Sequence, residues 1–215
     1  MKRVNFIMIF IASLGFDEKF ILRSIMSKGL NPSDKIILFL SKPIDDRSLK
    51  AFRNIENLVK KAYPLLDIKR YEIEVSDFFN AVSKIYDILR NEIIGGDIII
   101  NLSGGQRILI LEVLAALKLL SIDAKIEIET EDSSYIVEFP LKIFGELKLD
   151  RDDIEILSTI SDGKTFSQIA SEVKLSKTTV WRRLKHLEKE GYIYKENKKY
   201  KLTSFGNIFS KIVGK

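Results

Sequence analysis

A pair of glycines between an apolar strand and a long apolar helix constrains this sequence more than any other feature. Residues 97–101, Asp-Ile-Ile-Ile-Asn, form a short β-branched run that is typical of a buried parallel strand. Residues 108–120 are apolar, lack Gly and Pro, and are too many for a strand, so they predict a helix. Gly104 and Gly105 therefore lie at a strand-to-helix turn, which is the repeating element of an α/β fold.

The residues of this turn favour an anionic ligand. A helix start presents free backbone N–H groups and the positive end of the helix dipole, and glycine allows close approach because it lacks a Cβ atom. Two glycines can also form only a tight turn, but the flanking serine and arginine favour phosphate binding. The predicted contacts from this turn are Asn101, Ser103, Gly104, Gly105, Gln106 and Arg107.

Residues 102–106 also spell the signature peptide of ABC-transporter ATPases. Those proteins need a second loop of the form G-x-x-x-x-G-K-[ST] to hold the nucleotide phosphates. The sequence contains no such loop. An ABC-type ATPase is therefore rejected.

Residues 1–139 are predicted to form a Rossmann-like α/β domain with a mostly parallel sheet. Strands are expected near residues 4–12, 35–40, 68–75 and 97–101, separated by helices, with an antiparallel hairpin over residues 124–139. In the dinucleotide-binding strand order, strands one and four are neighbours and ligands bind beyond their carboxyl ends. The turn after strand one should therefore join the glycine turn in one site. Its predicted contacts are Ser13, Leu14, Gly15, Phe16 and Asp17.

The helix that follows the glycine turn is apolar nearly all round. Glu112 and Lys118 are its exceptions, whereas a helix that covers one face of a sheet needs only one apolar side. Either the second side is buried against another subunit, or the helix is buried deeply within its own domain. The sequence leaves both alternatives open.

Residues 140–150 are interpreted as a linker, and residues 151–215 as a winged helix-turn-helix domain. The last segment holds 14 Lys and Arg against 8 Asp and Glu, so it carries the whole basic excess of a chain whose net charge is +5. Such asymmetry indicates nucleic-acid binding. Thr165 and Gln168 match a capping box at the start of one helix, Ser176 can cap the next, and two short strands flank residues 196–199.

The third helix of this domain is expected to enter the major groove, with the wing on the DNA backbone. Lysines and arginines on a single helix face are often no more than a solvated surface, but charge, helix pattern and wing agree here. Trp181 is interpreted as a packing residue, and the last helix could fold back or pair with a partner. The predicted DNA contacts are Ser167, Lys177, Thr178, Thr179, Arg182, Arg183, Lys198 and Lys199.

Composition excludes several chemistries. The chain has no cysteine and a single histidine, His186, so thiolate metal sites and His-based triads are not expected. No catalytic residue, metal or cofactor is predicted. The apolar amino terminus lacks a clear signal-cleavage site and no apolar run reaches membrane-spanning length, so we expect a cytoplasmic protein without membrane contacts.

Both halves together resemble the CRISPR-associated CARF transcriptional regulators of archaea, specifically the Csa class. The resemblance is carried by the order of the two domains, by Leu14-Gly15-Phe16-Asp17, and by Ser103-Gly104-Gly105-Gln106-Arg107. It covers essentially the whole chain. The family implies a homodimer that binds double-stranded promoter DNA and controls CRISPR-related genes.

The same resemblance implies a cyclic oligoadenylate effector, with cyclic tetra-adenylate as the first choice, bound across the two-fold axis. The residues leave two alternatives open. One is a ring nuclease that cleaves this effector, with Ser13 and Arg107 as the available groups. The other is a regulator that senses a different nucleotide, because a phosphate cradle says little about bases.

Overall fold

The computed structural model describes residues 7–145, 149–160 and 163–212. The chain divides into two compact units, Met1–Gly145 and Glu146–Lys215. The first is a Rossmann-like α/β unit and the second is a winged helix-turn-helix unit, as the sequence predicts. None of the described helices is long and apolar enough to cross a membrane.

The first unit alternates strands and helices. Its elements are β1 (Met8–Ser13), α1 (Lys19–Lys28), β2 (Lys35–Lys42), α2 (Asp46–Ala62), β3 (Asp67–Glu74), α3 (Phe78–Glu92), β4 (Asp97–Asn101), α4 (Arg107–Leu120), β5 (Lys125–Glu129), β6 (Ile136–Pro140) and a short 3-10 helix (Leu141–Phe144). The sheet order is β3-β2-β1-β4-β5-β6. β1 runs parallel to both β2 and β4, so the predicted neighbourhood of strands one and four is confirmed.

The centre of the sheet is buried on both faces. Every residue of β1 is buried, and successive side chains point to opposite faces. Ile9 and Ile11 pack in the core on one face, which includes residues of α3 and α4, whereas Phe10 and Ala12 pack with residues of α1 and α2 on the other. Continuous apolar runs therefore form these strands because each side chain meets a helix on its own face.

The predicted antiparallel hairpin is confirmed, but the predicted linker begins too early. Pro140 is the last residue of β6 and pairs with Lys125 in β5. Leu141 is 2% exposed, belongs to the core, and donates a backbone hydrogen bond to Ala124. Residues 140–145 therefore belong to the first unit, because burying Leu141 ties the end of the hairpin to the core. Residues 146–148 lie outside the described part of the chain.

Helix α4 is buried on one face only. Leu109, Val113 and Leu117 are buried against the sheet. Leu111 and Leu119 are 55% and 64% exposed. Deep burial within the unit therefore accounts for only part of the apolar surface of this helix.

The second unit has the predicted helices and wing. Its elements are α5 (Arg151–Thr159), β7 (Lys164–Thr165), α6 (Phe166–Glu172), α7 (Lys177–Lys189), β8 (Ile193–Glu196), β9 (Lys199–Leu202) and α8 (Ser204–Ile212). Thr165 and Gln168 form the predicted capping box, and the Ser176 side chain caps α7. The two-residue strand β7 joins β9 and makes the small sheet three-stranded, which was too short to be predicted.

The last helix folds back on its own unit. α8 contacts α5, and Phe205 and Phe209 pack their rings against Tyr192. A Cβ on Gly206 would collide with the Tyr192 carbonyl oxygen. Folding back, one of the two alternatives for α8, is what the structure shows, because aromatic packing and a close backbone approach hold the helix in place.

Candidate ligand pocket and nucleic-acid interface

The loops that follow β1 and β4 meet at one rim of the sheet. The Ser13 hydroxyl donates a hydrogen bond of 2.5 Å to the Gly104 carbonyl oxygen. A Cβ placed on Gly15 would lie 2.7 Å from the Gly105 backbone nitrogen. The predicted convergence of these two loops is confirmed, because β1 and β4 are parallel neighbours whose carboxyl ends share this rim.

The glycines serve mainly the packing of one loop on the other. A Cβ on Gly104 would lie 3.3 Å from the Ser13 carbonyl oxygen, and one on Gly105 would lie 3.1 Å from the Ser13 Cβ. Gly105 also has a φ of 95°, which side-chain-bearing residues rarely adopt. The directions in which these Cβ atoms would point are thus taken up by the neighbouring loop. Glycine is therefore required here by the close packing of the two loops and not by space for a ligand.

A cavity of about 720 Å³ opens beside the two loops. This volume lies within the range of about 300–1,000 Å³ that is usual for small-molecule sites. Of the predicted contacts, those that line it are Leu14, Gly15, Phe16, Asp17, Ser103, Gly104, Gly105, Gln106 and Arg107. Ser13 and Asn101 are predicted contacts that do not line it.

Ser13 and Asn101 are buried supports of the site. Their exposed fractions are 0% and 1%. The Asn101 side chain accepts a hydrogen bond from the Ser103 backbone nitrogen, and the Ser13 hydroxyl is engaged with Gly104. Their prediction as ligand contacts is therefore corrected: they hold the loops. The Ser13 hydroxyl, one of the two groups available to the ring-nuclease alternative, is thus buried and already hydrogen-bonded in this structure.

Sequence reasoning missed a third wall of the cavity. It consists of the end of β2, the loop that follows it and the nearby helices, which contribute Phe20, Ser41, Pro43, Ile44, Asp45 and Ser48. The Lys42–Pro43 peptide bond in this loop is cis. The predicted strand order could have indicated this wall. That order places β4 on one side of β1 and β2 on the other, so the carboxyl end of β2 reaches the same rim.

Three helices begin beside the cavity, and their caps differ. The Asp45 carboxylate caps α2 by accepting from the Arg47 backbone nitrogen at 2.7 Å. The Asp17 carboxylate accepts from the first N–H group of α1 at 2.9 Å. Gln106, at the cap position of α4, makes no side-chain cap hydrogen bond. The start of α4 is therefore the place where an incoming anion meets backbone donors without displacing a carboxylate.

The charged side chains at the rim also favour the start of α4 as the anion site. The backbone N–H of Arg47, and then its guanidinium, lower the pKa of Asp45 below its ordinary value. Arg47 is thereby engaged with Asp45 at 3.2 Å and also lies 3.8 Å from the centre of the Phe16 ring. Arg107 is exposed at the first position of α4 and has no ion-pair partner among the described residues. Arg107 is therefore a cation at this rim that is available to a phosphate.

A second cavity, of about 870 Å³, opens at the opposite rim, near the first residues of β4 and β5. Volume alone would favour it. However, its two lysines, Lys28 and Lys125, both form ion pairs with Glu138. The smaller cavity is the better anion site because its arginine and helix start are not neutralised in this way.

The second unit presents a basic surface on α7. Val180, Leu184 and Leu187 are buried, which leaves Lys177, Thr178 and Arg182 exposed. The other predicted contacts that are exposed are Ser167, Lys198 and Lys199. Asn197 and Lys198 both have positive φ, 48° and 65°, as a two-residue turn at the wing tip requires.

Two predictions on α7 are corrected. The structure gives Arg183 a different role from the predicted DNA contact: its guanidinium forms ion pairs with Asp150, Asp152 and Asp153, because it points back towards the start of α5. Trp181 is not a packing residue, since it is 55% exposed. Thr179 is half-buried and its hydroxyl lies 2.9 Å from that of Ser176, within the helix cap.

Comparison with known proteins decides the family. The model of the Csa3 CRISPR-associated Rossmann-like domain matches residues 8–140, which is more than half of the chain. The chain belongs to this Csa3 family. A winged helix-turn-helix DNA-binding model matches residues 149–194, so a CARF-like Rossmann domain is followed by a DNA-binding domain.

The Csa3 assignment extends to a full-length relative. A CRISPR locus-related Csa3 protein of Saccharolobus solfataricus is 24% identical over 202 residues, which cover 90% of this chain and 82% of that one. The name of that relative gives DNA binding as a provisional function. The domain order inferred from the sequence and the resemblance to the Csa class are confirmed.

One solved structure shares the fold of this chain at low identity. The structure of Enterococcus italicus Csm6 bound to cyclic hexa-2'-fluoro-hexa-dAMP has a TM-score of 0.50 and 13% identity, over 86% of this chain and 55% of that chain. Protein VC1899 from Vibrio cholerae has a TM-score of 0.43 and 13% identity, over 94% of this chain and 64% of that chain. The chain thus spans less than two thirds of either solved chain, and the likeness to Csm6 concerns the fold.

Proposed function

We propose that this Csa3-family chain is an effector-gated, sequence-specific DNA-binding regulator of CRISPR-Cas genes. A CARF-like domain joined to a winged helix-turn-helix supports a regulator of this class. The single observation that carries the proposal is the shared cavity of the β1 and β4 loops, which joins an uncapped helix start to an exposed arginine. Such a site binds an anion without a metal or a cofactor.

The proposed effector is a cyclic oligoadenylate, with cyclic tetra-adenylate as the first choice. Its phosphates would meet the α4 backbone N–H groups and the Arg107 guanidinium. The Phe16 ring, 53% exposed beside the cavity, offers an apolar surface for a base. The solved Csm6 structure holds a cyclic hexanucleotide analogue on a related fold, which makes this class of ligand the first to test.

The proposed assembly is a homodimer. Leu111 and Leu119 expose apolar surface on the helix that begins at Arg107. Pairing this face with a second copy would bury that surface and bring two equivalent cavities to one two-fold axis. A symmetric ring of phosphates could then contact both. Light scattering on the eluted protein is expected to give twice the chain mass.

Effector binding is tested by calorimetry with cyclic tetra-adenylate and with its linear counterpart. Replacing Arg107 by alanine removes a charge-assisted contact, so affinity for the ring should fall about tenfold or more. Arg90→Ala is the matched control, because Arg90 is an exposed arginine in the last turn of α3 and does not line the cavity. If the unchanged protein shows no heat of binding, the effector is wrong; a different bound nucleotide identified by mass spectrometry would replace it.

Gating is tested separately. Operator affinity is measured by anisotropy at fixed salt, with and without saturating ring, because phosphate contacts make affinity depend on salt. A ligand shifts affinity only if it binds the two conformations unequally. We expect at least a fivefold change, which corresponds to about 1 kcal/mol of coupling. Identical affinities would remove the gating claim and leave ligand binding and DNA binding intact.

A further inference from the structure

Trp181 stands out on the surface of the DNA-binding unit. It is the single tryptophan of the chain and is 55% exposed on α7. No ring contact or side-chain hydrogen bond joins its indole to another residue in the described part of the chain. Tryptophan is highly buried on average in folded proteins, so an indole ring left open on a helix surface calls for a partner.

The position of Trp181 on α7 indicates which partner that is. It is the fifth residue of the helix, within the amino-terminal half that reads base edges in helix-turn-helix proteins. It follows the buried Val180 by one residue and therefore lies about 100° round the helix from the core. Arg182, the next residue, is also exposed. Trp181 is thus placed on the flank of the surface that meets the groove.

The surrounding charge favours DNA over another protein surface. Lys177 and Lys185 lie four residues before and after Trp181, so the three side chains form one stripe along the helix. All three are exposed. Lys185 lies 3.6 Å from Glu188, a surface pair of little strength, and Lys177 has no ion pair among the described residues. Two cations on either side of the ring complement the phosphates that border a groove.

We propose that Trp181 is a specificity-determining residue that reads the C5-methyl group of a thymine in the major groove. This inference rests on the proposed DNA-binding function. The thymine methyl is the apolar feature of the base edges in that groove, and apolar side chains discriminate by contact with it. The flat indole matches an apolar target, whereas its single N–H group is a donor only. The class of operator follows: each half-site contains a thymine that the ring contacts.

The first experiment is a selection from a random library of double-stranded DNA with the full-length protein. The unchanged protein should select a motif with a preferred thymine. Trp181→Ala should lose the preference at that position and keep the others, and Trp181→Phe should retain part of it. Lys185→Ala is the matched control, because loss of a phosphate contact weakens all duplexes alike and leaves the motif unchanged.

The second experiment removes the methyl group from the DNA. Deoxyuridine replaces the preferred thymine in the selected duplex, which keeps base pairing and deletes only the C5-methyl. The unchanged protein should bind this duplex about fourfold more weakly, the effect of exposing one methyl-sized group. Trp181→Ala should bind both duplexes equally. If the variant loses as much affinity as the unchanged protein, the ring does not contact the methyl and the inference fails.

Fluorescence of the single tryptophan reports directly whether DNA contacts the Trp181 ring. The free protein should emit like a water-exposed indole, and the selected duplex should shift or quench the emission. An emission typical of a buried ring that DNA leaves unchanged would mean that protein covers Trp181, and would overturn the inference. Circular dichroism of each variant checks folding.

The outcomes separate the two levels of proposal. If the unchanged protein selects no motif, sequence-specific DNA binding itself fails. If it selects a motif and Trp181→Ala selects the same motif with the thymine preference intact, only the role of Trp181 fails.

Discussion

Replacing the buried Glu112 by glutamine should stabilise the protein at alkaline pH and change little at acidic pH. Glu112 is 0% exposed and is one of the buried residues of α4. Neither of its carboxylate oxygens has a hydrogen-bond partner among the described residues. Burial therefore disfavours the charged form and raises the pKa of Glu112 from 4.5 to about 7.

The size of the effect follows from that shift. Each pKa unit corresponds to about 1.4 kcal/mol, so the ionised Glu112 side chain lowers the free energy of unfolding by roughly 3 kcal/mol. The folded protein holds this proton more tightly than the unfolded chain. Stability from Glu112 is therefore fully present below pH 4.5, falls as the pH rises to about 7, and stays low above that.

The assay is urea denaturation followed by far-ultraviolet circular dichroism at pH 5 and pH 8, at one protein concentration. Glutamine resembles the protonated carboxyl, so Glu112→Gln should unfold with about 2–3 kcal/mol more free energy than the unchanged protein at pH 8, and with a difference under about 1 kcal/mol at pH 5. Glu131→Gln, at an exposed position in the β5–β6 turn, is the control and should change neither value.

Two results would refute this reasoning. If Glu112→Gln changed the free energy of unfolding equally at both pH values, the carboxyl would not titrate in this range. If the variant were less stable at pH 8, the ionised carboxylate would have a partner that a single chain does not supply, such as a cation from a second subunit.

Three further substitutions test the contact between the two loops and the different roles of two neighbouring arginines. Gly15→Ala should cost about 1–3 kcal/mol in urea denaturation, because its Cβ would meet the Gly105 backbone nitrogen at 2.7 Å; unchanged stability would mean that the loops separate easily. Arg183→Ala should cost about 3–5 kcal/mol, because Asp153, whose side chain is 2% exposed, loses its paired charge. Arg182→Ala, on the exposed neighbour, should stay within about 0.5 kcal/mol in stability and lose about tenfold in DNA affinity; the opposite pattern would restore Arg183 as the DNA contact.

Much of the fold was predictable because its signals are local. Apolar runs of strand length alternate with helical stretches, and the caps at Thr165 and Ser176 mark helix starts. The order of βα units then limits the sheet to few topologies. The boundary near residue 140 was misplaced because Leu141 is bound to the core by contacts with residues distant in sequence.

The candidate site was predictable in outline only. The strand order was enough to place its two glycine loops together. The role of each residue, however, depended on the direction in which its side chain points. Asn101 and Ser13 turn inward and support the loops, whereas Phe16 turns outward. The wall after β2 has a common loop composition, so no motif marks it.

The two neighbours Arg182 and Arg183 show which properties the sequence alone can predict and which it cannot. The sequence alone determined that α7 is a capped, basic helix with an apolar stripe, because helix propensity, capping and periodicity act between residues a few positions apart. Only the tertiary structure decided that Arg183 pairs with three aspartates at the start of α5 and that Trp181 is exposed. It also decided that the buried Glu112 carboxylate finds no hydrogen-bond partner among the described residues. Those outcomes depend on which surfaces come together across long stretches of chain, and a local pattern carries no record of the element that packs against it.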